Sequence, residues 1–541
     1  MKRKRFLAIL LSFTLVAACM FSGCGKEEKE QKKVDVSAPG ELPLTEEKVE
    51  LTVFVPKQAN IENFETNEFT KWYEEQTNVK IKWEVASGDP TQALNLKLAS
   101  GDLPDIIYGF GFSKAQQLLY GQQGVFQDIS DEIDEHGFYL KEMFEKRPDI
   151  KEDLLVNGAI YGIPRVEESP YAEYPGCVWV YEPWIEKLGG KLPTTTDEFY
   201  DFLVKIKNTD LNGNGKNDEI PFAVQGVTGT EGLERFLMNS FVSVGEDRIS
   251  VIDGKVFFAA DKEEYREGLR YMKKLYDEGL LYEDSFVIDR TRLTSIGEEK
   301  TPILACGTGL WAGMFTIYGA ETWRIADYVS LAPLYGPEGF RQSVHKNSDY
   351  GGNVVFTVTS ACKNPDLAVK WVDWFFSEEN RVKAHNKAGF RPAKEGEIGI
   401  DGQQALWTQE PVPANSGTGV TTVQNIAWNN FGAFYKPLET DLRTATLEEG
   451  PRRVSENRYE AYMQHKECGA DISMADPLMS EEDAALYADY RITIQNIIDT
   501  AFVEFVTGVR SLDNDWDDYI KELKKAGLDD YLNLIKKYVE K

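Results

Sequence analysis

Apolar and polar residues alternate along "VELTVFVP", Val49 to Pro56, a period of two that predicts a half-buried strand. After it Phe69, Trp72 and Tyr73 fall at i, i+3 and i+4, one face of a helix, and "IKWEV" from Ile81 alternates again. "TQALNLKLASGDLPDIIYG" repeats the pattern: a helix closed by Gly101, then a short buried strand from Asp105 to Tyr108. Strands and helices in this order predict an α/β fold with a mostly parallel sheet, whose ligands bind at the carboxyl ends of the strands. Tyr108, Phe110 and Phe112 lie at such an end.

Further along, "PTTTDEFYDFLVKIKN" opens with a capping box from Thr195 to Glu198 and carries Phe199, Phe202, Leu203 and Ile206 on one face. "NPDLAVKWVDWFFSEE" predicts a helix with Asn364 as cap and Pro365 at its first position, facing the core with Leu367, Trp371, Trp374 and Phe375. The last segment reads as two amphipathic helices parted at Gly527.

The amino terminus differs from the body. Four basic residues precede an apolar run from Phe6 to Phe21, sixteen positions, short of the ~20 that a membrane span needs. This reads as a secretory signal peptide, residues 1–23; "FSGC" ending at Cys24 resembles the lipobox of bacterial lipoproteins, with "VAAC" ending at Cys19 and an ordinary secretory cleavage as the alternatives. Residues 24–47 are charged, with almost nothing large and apolar, and are expected to form a flexible tether. The body that follows, about 490 residues, is long enough for more than one core, and two lobes are expected.

Charge narrows the partners. With 60 Lys and Arg against 89 Asp and Glu, the net charge of −29 argues against nucleic acid. Cys177, Cys306, Cys362 and Cys468 lack metal-ligand spacing and read as buried thiols, although a disulfide is open in this compartment. The four histidines, His136, His345, His385 and His465, are isolated in sequence and read as surface residues. No Gly-x-Ser-x-Gly elbow, His-Glu-x-x-His helix or phosphate loop is present.

One loop carries chemistry. "DLNGNGKNDEIP" places oxygen side chains at positions 1, 3 and 5 (Asp210, Asn212, Asn214), Gly215 at position 6, the Lys216 carbonyl at 7 and Asp218 at 9. That is calcium-loop spacing, because a hard cation needs six or more oxygens and alternate residues of a tight loop can aim theirs inward. Position 12 departs, with Pro221 in place of a bidentate Glu, and Glu219 is the substitute carboxylate. A polar Asn-Gly turn without metal is the competing reading.

The segments "LASGDLPDI", "AIYGIP", "LGGKLPTTTDEFYDFLVKI", "DLNGNGKNDEIP", "PLYGPEG" and "KNPDLAVKWVDWFFSEEN" resemble, in order and over nearly the whole body, the extracellular solute-binding lipoproteins (family 1) of carbohydrate ABC transporters. The large calcium-loop subgroup that includes alginate-oligosaccharide-binding proteins is the most similar. The resemblance implies a periplasmic-binding-protein-like fold, two α/β lobes with a hinge and a helical C-terminal extension. Lobe 1 would be 48–165 plus about 350–405, and lobe 2 would be 166–349 plus about 406–541. It also implies a structural calcium on Asp210, Asn212, Asn214, Lys216, Asp218 and Glu219, and a palmitate-bearing anchor at Cys24 on the extracellular face of the cell membrane. The partners would be a carbohydrate and permease subunits, and the protein a monomer. Where the family usually has an arginine and an aspartate before a tryptophan, this chain has Tyr181, Glu182 and Pro183.

A sugar offers hydroxyls around a ring and apolar C–H faces, so its site needs flat aromatics and planar polar groups. Aromatics set among glycines or amides and at strand ends give the candidates Trp179, Trp311, Trp428, Tyr108, Phe112 and Tyr350, with Arg391 as a polar partner. Each is equally readable as core. Arg165 and Arg391 are the local cations that an acidic sugar would need. The expected function is binding without catalysis; a secreted polysaccharide-active enzyme and a sensory receptor of the same fold are the alternatives.

Overall fold

The computed structural model describes residues 33–540 apart from 60, 170–172, 227–231, 346–352, 386–389, 411–424 and 475–478. Cys19, Cys24 and Tyr350 lie outside the described residues.

The predicted strand–helix–strand unit is present: Val49–Val55 and Val79–Val85 pair in parallel with Glu68–Thr77 between them. They belong to a five-stranded sheet in the order Val79–Val85, Val49–Val55, Ile106–Phe112, Val354–Val358, Ile163–Pro164. The fourth strand runs antiparallel to both neighbours. Buried Asp105 fixes the register, since its Oδ2 accepts both the amide and the hydroxyl of Thr52 at 2.7 Å. The second lobe is built on a four-stranded sheet ordered Tyr328–Leu331, Cys177–Tyr181, Leu304–Gly309, Ile220–Ala223. Each sheet has its own hydrophobic core. Trp371 and Trp374 are buried in the first, as their helical spacing predicts.

The chain passes between lobes in three places. One lies between Pro164 and Cys177 and another between Val344 and Val354. The third is displaced. Trp428, Phe431, Phe434 and Tyr435 pack in the first core, so lobe 2 resumes after Lys436 and not near residue 406. At this crossing Tyr435–Lys436 pairs in parallel with Val166–Glu167.

The expected flexible tether over 24–47 does not hold for its described part. Residues 33–47 are docked on lobe 1: the amide of Val34 donates to Asn364 Oδ1 at 2.9 Å, and the Lys370 ammonium donates to the carbonyls of Ser37 (2.8 Å) and Ala38 (2.6 Å). Leu44 and Thr45 are buried. Asn364, expected to cap its own helix, makes no side-chain cap bond there and holds this strap instead. Few apolar residues are needed, because buried polar groups of lobe 1 supply the bonds.

The C-terminal helices Glu481–Thr507, Trp516–Lys525 and Leu528–Val539 are part of lobe 2, not an appendage, since Ile494, Phe502, Phe505, Trp516, Tyr519 and Tyr531 fill its core. Gly527 at φ 93° makes the left-handed turn between the last two. Cys177, Cys306, Cys362 and Cys468 are free thiols. Among the described residues no helix is long and apolar enough to cross a membrane.

Candidate functional site

The loop from Asp210 to Glu219 joins the helix Thr196–Lys207 to the strand Ile220–Ala223 in lobe 2. The helix starts where the sequence places it, with the Thr195 hydroxyl accepting the Glu198 amide. The Glu198 carboxylate reaches back to Thr194, one residue short of a full capping box. In the loop, Asp210 accepts the amides of Gly213 (2.7 Å), Asn214 (3.0 Å) and Gly215 (2.8 Å). Gly213 and Gly215 adopt φ 74° and 82°, which a side chain would resist. The side-chain amides of Asn212 and Asn214 donate through Nδ2 to Asp218, and these hydrogen bonds hold its carboxyl below the usual carboxylate range. Buried Glu219 accepts the amides of Leu211 (2.7 Å) and Asn212 (3.0 Å) through Oε1, while its Oε2 has no partner. An acidic oxygen kept from water without a donor fits a cation ligand. Among the described residues no group of three His, Cys, Asp or Glu is placed to hold a metal by itself. A cation here would therefore depend on Asn and carbonyl oxygens as well.

The sugar candidates separate by burial. Trp179 and Trp428 are 1% exposed, and Tyr108 and Phe112 are 0% exposed. Their polar atoms are already used: Trp179 Nε1 donates to the Gly309 carbonyl (2.9 Å), Trp428 Nε1 to Thr70 Oγ1 (2.8 Å), and the Tyr108 hydroxyl accepts the Ala433 amide (3.0 Å). Phe112 packs edge-on against Phe126. These four are core rings in this arrangement, with no face for a ligand. Arg391 holds Glu397 with two nitrogens, at 2.6 and 2.8 Å, and Glu410 with its Nε at 2.6 Å, so its donors are largely spent. Arg165, its side chain 44% exposed, donates to the Asn430 carbonyl at 3.0 Å and lies 3.8 Å from Glu167 Oε2.

Trp311 is different. It follows the carboxyl end of Leu304–Gly309, a strand parallel to Ile220–Ala223, and is half-buried. Tyr318 lies 5.8 Å from it, centre to centre, and Trp323 lies 5.2 Å beyond Tyr318. Both are partly exposed. Gly313 is required beneath the indole, because a Cβ there would come within 2.5 Å of the ring. Tyr318 and Trp323 were not singled out from sequence, although their crowding within twelve residues after Trp311 was the available signal.

Two histidines differ from the surface reading. His385 is buried against the Phe431 carbonyl (2.9 Å) and His465 against Ser343 (2.7 Å); burial pushes the first down to about 3 and the second to about 4. Both are neutral structural groups at ordinary pH.

Two α/β lobes with separate cores, joined by three crossings and carrying a cluster of aromatics at a strand end, define the two-lobe class of ligand-binding proteins. Residues 68–405 match the family described as bacterial extracellular solute-binding protein, and the chain belongs to that family. Its members are binding proteins, not enzymes. Among its relatives is the fructooligosaccharide ABC transporter substrate-binding protein FusA of Streptococcus pneumoniae serotype 4, 27% identical over 481 residues, 86% of this chain and 85% of that one. Lipoprotein LipO of Bacillus subtilis is 25% identical over 394 residues, 71% of this chain and 72% of that one. The solved structure of an S. pneumoniae FusA EF-hand mutant in complex with fructo-nystose aligns with a TM-score of 0.70 at 25% identity, covering 91% of this chain and 98% of that one.

Proposed function

We propose that the protein captures an oligosaccharide outside the cell and delivers it to the permease of an ABC transporter, acting as a monomer held by a lipid on Cys24. The observation that carries this reading is the Trp311, Tyr318 and Trp323 cluster at a strand end of a two-lobe member of a solute-binding family. The FusA relative makes neutral fructooligosaccharides the first ligands to try. A sugar face stacked on one ring gains about 1 kcal/mol beyond area burial, and several such contacts with a hydroxyl network reach micromolar affinity. Lobe closure on the ligand then gives the permease a form to recognise. The signal sequence and the LipO relative support the anchor.

Asp210, Asn212, Asn214, the Lys216 carbonyl, Asp218 and Glu219 would hold a calcium ion, supported by their spacing, by the partnerless Glu219 Oε2 and by the EF-hand of the FusA relative. The ion would act structurally, tying the end of one helix to the start of the next strand. Titration calorimetry with kestose and longer fructooligosaccharides, followed by chromatography of the sugar after long incubation, tests the main reading. Micromolar binding with the sugar intact supports it; absence of binding across neutral oligosaccharides, or cleaved sugar, sinks it.

A further inference from the structure

Arg290 stands beside Trp311. It opens the helix Arg290–Gly297, and its Nη2 donates to the Gly313 carbonyl at 2.9 Å. Gly313 is the residue beneath the Trp311 indole, where a Cβ would come within 2.5 Å of the ring. The bonds of one glycine therefore separate the guanidinium from the ring, and the two lie within about 10 Å of each other. Arg458 also lies over the indole, 5.3 Å from its centre, so two guanidinium groups adjoin this ring.

The strand ends set the place of Arg290. The segment before it is tied to the carboxyl end of Ile220–Ala223: the Tyr282 amide donates to the Phe222 carbonyl at 2.8 Å, and the Val224 amide to the Ser285 hydroxyl at 3.3 Å. Trp311 and Gly313 follow the carboxyl end of the parallel neighbour Leu304–Gly309. Arg290 thus stands where α/β sheets bind their ligands. Two acids close to it in sequence are engaged elsewhere. Asp289 Oδ1 caps the helix by accepting the Arg292 amide at 2.8 Å, and Asp284 Oδ2 accepts the Tyr282 hydroxyl at 3.1 Å. Among the described residues Arg290 makes no ion pair, and the Gly313 carbonyl takes one of its five N–H donors. Arg391, by contrast, is held by Glu397 and Glu410, and Arg324 by the carbonyls of Gly297, Glu299 and Lys300. Arg290 is exposed, yet its bond to Gly313 fixes its direction, so little freedom is lost when a ligand takes the other donors.

We propose that Arg290 is a ligand-contacting residue, whose guanidinium donates to two neighbouring oxygens on the edge of the sugar unit that meets Trp311 with its apolar face. A planar fork of donors matches a pair of adjacent acceptors, and the aromatic beside it takes the C–H face, so the two side chains read different sides of one unit. Adjacent hydroxyls of a neutral sugar and the carboxylate of a uronic acid offer the same pair of acceptors. The proposal rests on the reading of Trp311 as a sugar-stacking ring.

The test is titration calorimetry on the full chain with kestose and with trigalacturonate, for the parent, Arg290→Ala, Trp311→Ala and the double variant. Arg290→Ala is expected to weaken binding of the sugar that the parent accepts about tenfold, about 1.4 kcal/mol, with the melting temperature unchanged. The weakening is expected to persist in the Trp311→Ala background, because a contact made by Arg290 itself does not need the indole. An effect that vanishes there would make Arg290 a prop for the Gly313 turn and overturn the proposal. Arg290→Lys, which keeps the charge but not the fork, should bind with an affinity between those of the parent and Arg290→Ala. Kestose binding that resists salt assigns the oxygens to hydroxyls, and trigalacturonate binding that weakens with salt assigns them to a carboxylate. Affinity unchanged in Arg290→Ala while Trp311→Ala loses tenfold overturns the proposal and leaves the stacking reading standing. A parent that binds neither sugar removes that reading and the proposal with it.

Discussion

Glu219 and Leu211 meet across the acidic loop: one carboxylate oxygen accepts the Leu211 amide at 2.7 Å, and the other is buried without a donor. A calcium ion would take that second oxygen. At a free concentration 100 times the dissociation constant, such an ion stabilises the folded state by about 2.7 kcal/mol. Chelation should therefore lower the melting temperature by several degrees, and Glu219→Gln should abolish that response. A midpoint insensitive to chelator, together with no calcium by elemental analysis, would dismiss the site.

Trp311 and Trp428 make opposite forecasts. Trp311→Ala should weaken oligosaccharide binding at least about tenfold, about 1.4 kcal/mol, with the melting temperature little changed. Trp428→Ala should cost about 3–5 kcal/mol of stability, because it empties a core position and strands the Thr70 hydroxyl. Calorimetry and denaturant melts on the two variants distinguish them; a reversed pattern would exchange their roles.

The strap predicts where truncation begins to hurt. Removing residues 1–32 should leave the melting temperature unchanged, whereas removing 1–47 should lower it, since Leu44, Thr45 and the carbonyls bound by Lys370 are lost. Lys370→Met should cost about 1–3 kcal/mol and speed hydrogen exchange at the amides of Val34 and Leu44. Fast exchange at those amides in the parent protein would return the whole segment to a free tether.

Asp373 gives a pH prediction. Its buried carboxylate accepts the amides of Phe138, Tyr139 and Leu140 at the start of a helix, yet burial outweighs them and raises its pKa from 3.8 to about 6. The folded state thus holds the proton more tightly than the unfolded chain. The stability this adds is complete below pH 4 and is lost as pH rises through 6. Asp373→Asn does not titrate, so the parent should lose about 3 kcal/mol relative to it between pH 4 and 7. Parallel stability curves for the two over that range would contradict the assignment.

For the anchor, Cys24→Ser should release the protein from membranes or leave it unprocessed. If Cys19→Ser does so instead, the lipid moves to Cys19.

Much of the local structure was legible because it is written in short-range periodicity. Val49–Val55 and Val79–Val85 show their alternation, Thr195 and Glu198 their cap, and Gly527 its break, since each depends on residues within a turn or two. The acidic loop was legible for the same reason: its oxygen side chains lie close together in sequence.

The tertiary structure decided what depends on distant neighbours. Trp179 and Trp311 both have glycine nearby in sequence, but only packing buries the first completely and leaves the second half-open. A pattern of apolar residues marks a face that must be covered, without saying whether protein or ligand covers it. Likewise Asn364 reads as a helix cap until Val34, 330 residues away, takes its oxygen. Lys370 reads as a solvated charge on an amphipathic helix until the strap carbonyls lie over it. The sequence by itself determined the two-lobe α/β order and the local elements that build it. Which rings, cations and tether residues are free to act depended on long-range packing, because burial and hydrogen-bond partners are properties of the assembled chain.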